Sequence, residues 1–213
     1  MNLVFAGDSI TDCDRRTDPL GLGGGYVGLA AGLLRERGEQ HRVVNAGVSG
    51  DRVEHLLERW QRDVLDRRPD VLTVYIGVND TLTTFSRGRP TPRDAFAARY
   101  AELLDRAAAA AVERLIVLEP FLVACTEEGA PWRDGTEFAR ADLDTKRPVV
   151  RDLAGRHGAD LVPLQEIADA EVARRGPAVV APDGVHPSAH GHLLIARHWL
   201  AAYDRAAVRP RDH

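Results

Sequence analysis

The chain has 213 residues, 44% of them hydrophobic, and 28 Lys plus Arg stand against 32 Asp plus Glu for a formal charge of −4. That supplies apolar material for one ordinary core, and it is too acidic for a nucleic-acid footprint or for docking on anionic lipid. The two cysteines, Cys13 and Cys125, form no C-x-x-C pair, so neither a disulfide framework nor a zinc ribbon is expected.

No run of 18 apolar residues is present, so no membrane span is expected. The start, Met1 to Asp8, has no basic segment and no long apolar one. The chain therefore reads as cytoplasmic, without a secretion leader. Along the chain, Leu3 to Ala6 is the first buried-strand candidate, followed by a polar loop. Tyr26 to Arg37 carries apolar residues at helical spacing, and Arg42 to Asn45 is a short strand. Val53, Leu56, Leu57, Trp60 and Val64 follow the spacing of an amphipathic helix. Val71 to Ile76 predicts a third strand, Phe96 to Val112 an Ala-rich helix, and Leu115 to Leu118 a fourth strand. Phe138 to His157 is helical in pattern, and Pro148 inside it predicts a break or kink. Ala159 to Val162 is the last strand and Ser188 to Tyr203 the terminal helix. The alternation predicts one three-layer α/β/α domain over residues 1–213 with a five-stranded parallel sheet. The polar tail after about residue 204 is expected to fray.

Ligand sites in such sheets lie beyond the carboxyl ends of the strands. The unusual residues fall there. Gly7-Asp8-Ser9-Ile10 ends the first strand and offers a serine nucleophile. Asn45-Ala46-Gly47-Val48-Ser49-Gly50 follows the second strand, and Gly77-Val78-Asn79-Asp80 the third. Their glycine N–H groups and the Asn79 amide are candidate oxyanion donors. Asp183-Gly184-Val185-His186 offers a histidine base with a carboxylate to orient it. Each cluster alone is an ordinary turn or cap. Together they hold the parts of an acyl-transfer site.

These blocks, in this order, resemble the SGNH or GDSL hydrolases, with Ile10 where Leu is usual. The resemblance covers nearly the whole chain. It implies a five-stranded parallel sheet with helices on both faces. It implies Ser9 as nucleophile, His186 as base and then acid, and Asp183 as its orienter. The oxyanion donors become the N–H groups of Ser9 and Gly50 and the side chain of Asn79. The stretches Ser9 to Cys13, Gly25-Tyr26-Val27, Arg42 to Asn45, Pro120-Phe121 and His186-Pro187-Ser188 are similar to bacterial carbohydrate esterases, above all acetylxylan esterases without a secretion signal. That similarity implies deacetylation of short xylo-oligosaccharides with no metal or organic cofactor, a small ester as the partner, and leaves a homo-oligomer open.

Asp12, Arg15, Tyr26, Arg52, Phe121 and Trp132 are candidate substrate contacts, with Trp132 the best placed to stack on a sugar. Gly23 to Gly28 matches G-x-G-x-x-G but lacks the strand before it, so nucleotide binding is not expected. His190 and His192 read as packing or capping residues rather than metal ligands, and Cys13 as packing. The rival functions are a small-acyl thioesterase or lysophospholipase, a non-catalytic carbohydrate-binding protein and a metallohydrolase. The sequence leaves open whether residues 123–137 form a lid.

Overall fold

Apolar runs too short for helices become strands covered on both faces. In the computed structural model, which describes residues 1–207, these are β1 (Asn2–Gly7), β2 (Arg42–Gly47), β3 (Val71–Tyr75), β4 (Arg114–Leu118) and β5 (Asp160–Val162). They pair in parallel in the order β2-β1-β3-β4-β5. The expected five-stranded sheet is therefore present. Gly7 lies in register with Gly47 on one side and Tyr75 on the other. Three strand ends thus finish at one level, where the strand order reverses and a crevice opens.

Strand side chains alternate between the two layers. Leu3 and Phe5 pack with α2 (Tyr26–Glu36) and α9 (Ala189–Ala207). Val4 and Ala6 pack with α3 (Val53–Asp63) and α5 (Arg93–Ala109). Four helices had no expectation in the sequence: α1 (Ser9–Asp12), α4 (Val78–Arg87), α7 (Leu164–Arg175) and α8 (Pro177–Val180). α4 starts inside the block read as a βα turn. α7 buries Gln165 and Glu171 beside Leu164 and Ala168, so its inward face shows no apolar stripe.

Of the break or kink predicted at Pro148, the break does not occur. α6 runs unbroken from Thr136 to Arg156 with Pro148 inside. A proline removes one ladder bond and costs about 3 kcal/mol in a helix interior. Here Ala139 and Leu143 enter one layer of the core, and Val149, Val150, Leu153 and Ala154 enter the other. Burial on both sides of the proline offsets the lost bond. The expected fraying after about residue 204 lies mostly outside the described residues; α9 itself continues to Ala207.

Lys146, the single lysine of the sequence, is wholly buried on α6. Its ammonium bonds to the Asp142 carboxylate and lies 3.3 Å from Thr81 Oγ1. Thr81 in turn donates to Asp142 at 2.6 Å, so α4 is locked to α6. Among the described residues no helix is long and apolar enough to cross a membrane.

Candidate active site

Asp8 begins the site by capping α1. Its Oδ1 accepts the Ile10 N–H at 3.0 Å, which fixes Ser9 as the first helical residue beyond β1. Ser9 Oγ stands 3.0 Å from His186 Nε2. His186 Nδ1 stands 2.6 Å from Asp183 Oδ2. Asp183 Oδ1 accepts the N–H groups of Val185 at 2.8 Å and His186 at 2.7 Å. The carboxylate is thus held by its own turn while its second oxygen takes the imidazole proton. With Nδ1–H committed to Asp183, the Nε2 lone pair faces the Ser9 hydroxyl.

The electrostatics follow the contacts. Burial pushes the Asp183 carboxyl up, but the bonds from the His186 ring and from the Val185 and His186 N–H groups outweigh it and hold it below the usual range. His186 is raised, first by its bond to Asp183, with burial opposing. Burial pushes the Asp8 carboxyl up to about 7, against the Ile10 N–H and the charge on His186.

Gly50 and Asn79 come from the loops after β2 and β3. Gly50 adopts φ +83°, a left-handed conformation that favours glycine. Neither Gly50 N–H nor Ser9 N–H has a hydrogen-bond acceptor among the described residues. Asn79 Nδ2 donates one proton to the Asp51 carbonyl at 3.0 Å, leaving its second N–H for a ligand. Buried Arg59 lies beneath these loops. It donates to Asp51 Oδ2 at 2.6 Å, to the Ala46 carbonyl at 2.8 Å and to the Gly7 carbonyl at 3.1 Å. One guanidinium therefore joins the ends of β1 and β2 to the residue that holds Asn79. Sequence reading missed it, because Arg59 sits within a helix whose pattern is set by Leu56 and Trp60.

His186, Gly50 and Asn79 open onto a cleft of about 310 Å³, whose other walls are Leu82, Thr83, Phe85, Pro131 and Trp132. Of the candidate substrate contacts, the structure brings only Trp132 to this cleft. Asp12 bonds to the N–H and hydroxyl of Ser49 at 3.1 and 3.2 Å and so braces the Gly50 loop. Arg15 donates to the Gly47 carbonyl at 2.7 Å. Arg52 is buried against Glu54 and His55. Tyr26 has no exposed surface and bonds through its hydroxyl to Thr11, and Phe121 is packed in the core. Neither ring offers a face for a sugar. The cleft walls on α4 escaped the sequence reading because α4 was not recognised as a helix.

The next two histidines after His186 in the sequence, His190 and His192, have local partners. His190 lies 2.7 Å from Glu171. His192 Nδ1 accepts the Tyr26 N–H at 3.2 Å, and its Nε2 lies 3.6 Å from Cys13 Sγ. Burial lowers His192 to about 4 and raises the Cys13 thiol, so this pair is a neutral imidazole and a neutral thiol.

A family model described as the GDSL-like lipase/acylhydrolase family matches residues 5–194. An acetylxylan esterase of Geobacillus stearothermophilus is 32% identical, with 98% of this chain and 96% of the relative covered. A crystal structure of an acetylxylan esterase from that organism superposes with a TM-score of 0.82 at 32% identity, covering 99% of this chain and 97% of the other. An alpha/beta hydrolase from the metagenome of Lake Arreo, Spain, superposes with a TM-score of 0.82 at 33% identity, over 95% and 94% of the two chains. Two further structures of the Geobacillus esterase are described as catalytic mutants, one of a serine and one of an aspartate. With the family matched over most of its length, the chain belongs to the GDSL-like lipases and acylhydrolases and is a carboxylic ester hydrolase.

Proposed function

We propose that the protein removes acetyl groups from short carbohydrates, xylo-oligosaccharides being the nearest class, through an acyl-enzyme on Ser9. The observation that carries this reading is the unbroken chain of contacts from Ser9 Oγ to His186 to Asp183 at the mouth of the cleft. The acetylxylan esterase relative supports the acyl group and the class of alcohol.

In this reading Ser9 Oγ attacks the acetyl carbonyl while His186 Nε2 takes its proton. The carbonyl oxygen becomes an oxyanion and is met by the N–H groups of Ser9 and Gly50 and by the free N–H of Asn79. His186 then gives its proton to the departing sugar oxygen. A water molecule, deprotonated by the same nitrogen, hydrolyses the acetyl-enzyme and restores Ser9.

The first test is substrate choice. An aryl acetate should be turned over faster than the matching octanoate, and acetylated xylo-oligosaccharides should release acetate. A preference for octanoate would favour a lysophospholipase or thioesterase, and complete loss of activity in EDTA a metallohydrolase.

Asn79→Ala should lower kcat by about 10²- to 10³-fold, the usual cost of one oxyanion donor. Steady-state kinetics on an aryl acetate read this directly, and an unchanged kcat would remove Asn79 from the reaction. The pH profile provides an independent check. The base must be neutral, and its pKa is raised by Asp183. Activity should therefore be full at higher pH and be lost as pH falls through a midpoint above the ordinary 6.5 or so. A kcat/KM that stays flat down to pH 5 or so would exclude His186 as the base.

A further inference from the structure

The segment between β4 and α6 is laced to the turn that carries Asp183 and His186. Val123 N–H donates to the Gly184 carbonyl at 3.0 Å. The N–H groups of Thr126 and Glu127 both donate to the Pro182 carbonyl, at 2.8 and 3.0 Å, and the Thr126 hydroxyl joins them at 2.9 Å. Gly184 has φ +88°, and a Cβ there would stand 2.8 Å from the Val123 carbonyl oxygen. The two stretches approach as closely as a glycine allows.

Trp132 adds the last contact. Its indole N–H donates to the Asp183 carbonyl at 2.5 Å, across 51 residues of sequence. Its ring centre lies 6.0 Å from that of His186, tilted by 55°. Trp132 is itself held in place, its carbonyl accepting the Gly135 N–H at 3.0 Å and the Thr136 hydroxyl at 3.1 Å. The Asp183 carboxylate is secured by its own turn and holds His186 Nδ1 at 2.6 Å. Among the described residues, however, the Asp183 carbonyl takes no hydrogen bond from that turn, and one bond at Nδ1 leaves the half-exposed ring able to tilt about it.

We infer that Trp132 is a positioning residue for the base: its N–H pins the Asp183 carbonyl and its ring confines the His186 imidazole, keeping Nε2 on the Ser9 hydroxyl. This rests on the reading of His186 as the base given above. It assigns residues 123–137 the work of a brace. It also separates Trp132 from a simple sugar platform, because a brace acts on every ester and a platform only on those that carry a sugar.

The experiment compares wild type, Trp132→Phe and Trp132→Leu on phenyl acetate, which has no sugar, and on acetylated xylo-oligosaccharides. Phe keeps a ring beside His186 and loses the N–H; Leu loses both. Trp132→Phe should lower kcat on phenyl acetate about tenfold, the worth of one hydrogen bond, with KM little changed. Trp132→Leu should lower it about 100-fold, the cost of a misplaced catalytic group. Rates of labelling of Ser9 by a serine-directed phosphonate should fall in the same order. Thermal unfolding of both variants shows whether the fold is intact; if Trp132→Leu unfolds, Trp132→Phe decides alone. A wild-type kcat on phenyl acetate in Trp132→Phe, with only the KM for the oligosaccharides raised, would overturn the inference and leave a platform. The catalytic reading has its own separate test in Ser9→Ala, whose outcome does not depend on Trp132.

Discussion

Ser9→Ala should abolish measurable turnover of an aryl acetate, lowering kcat by about 10⁶-fold by analogy with other serine hydrolases. The substitution removes the one atom that the His186 ring contacts at 3.0 Å. Asp8 still caps α1 through the Ile10 N–H, so the backbone that presents residue 9 has no reason to move. The Gly50 and Asn79 donors also survive and can polarise a bound carbonyl, which sets the small residual rate. Thermal unfolding should therefore match wild type while the burst of acyl-enzyme disappears. A variant that kept its rate would leave Ser9 a helix-capping neighbour and send the search for a nucleophile elsewhere.

Asp183→Asn is expected to lower kcat by about 10⁴-fold through the tautomer of His186. The two N–H groups of Val185 and His186 both point at one Asp183 oxygen. An amide in that position must keep its oxygen there, because its NH₂ would face two donors. The NH₂ group is then turned to His186 Nδ1, which can no longer hold a proton and must accept. The ring proton moves to Nε2, the atom that should receive the Ser9 proton, and the base is switched off without any change of shape. The pH–rate profile of the residual activity should lose its histidine limb. If Asp183→Asn ran at the wild-type rate, the carboxylate would be a turn residue only.

The sequence made the sheet legible because its strands are unbroken apolar runs, and the strand ends legible because Gly, Asn, Asp and Ser follow them. The candidates Ser9, Gly50, Asn79, Asp183 and His186 stand out in the sequence for that reason, and the fold brings these proposed site residues to one crevice. Other features depend on packing that no local pattern encodes. Tyr26 and Phe121 stand next to loops in the chain but are swallowed by the core. α7 is hidden because its inward face carries Gln165 and Glu171. Pro148 predicts a break from local chemistry, and burial on both sides of it overrules that chemistry. The Trp132 bond to Asp183 joins residues 51 apart, so only the folded chain shows it.

Lys146 gives the folded protein an unusual chemical surface. The sequence has no other lysine, and this one has no solvent contact. Reagents that acylate amines therefore meet only the α-amino group while α4 stays against α6. A second acyl group can be added to nitrogen only when that contact opens and the ammonium leaves Asp142 and Thr81. Counting amide-linked acyl groups by mass against time, in the Ser9→Ala variant so that no acyl-enzyme is counted, would thus read the opening rate of the helix pair beside the cleft.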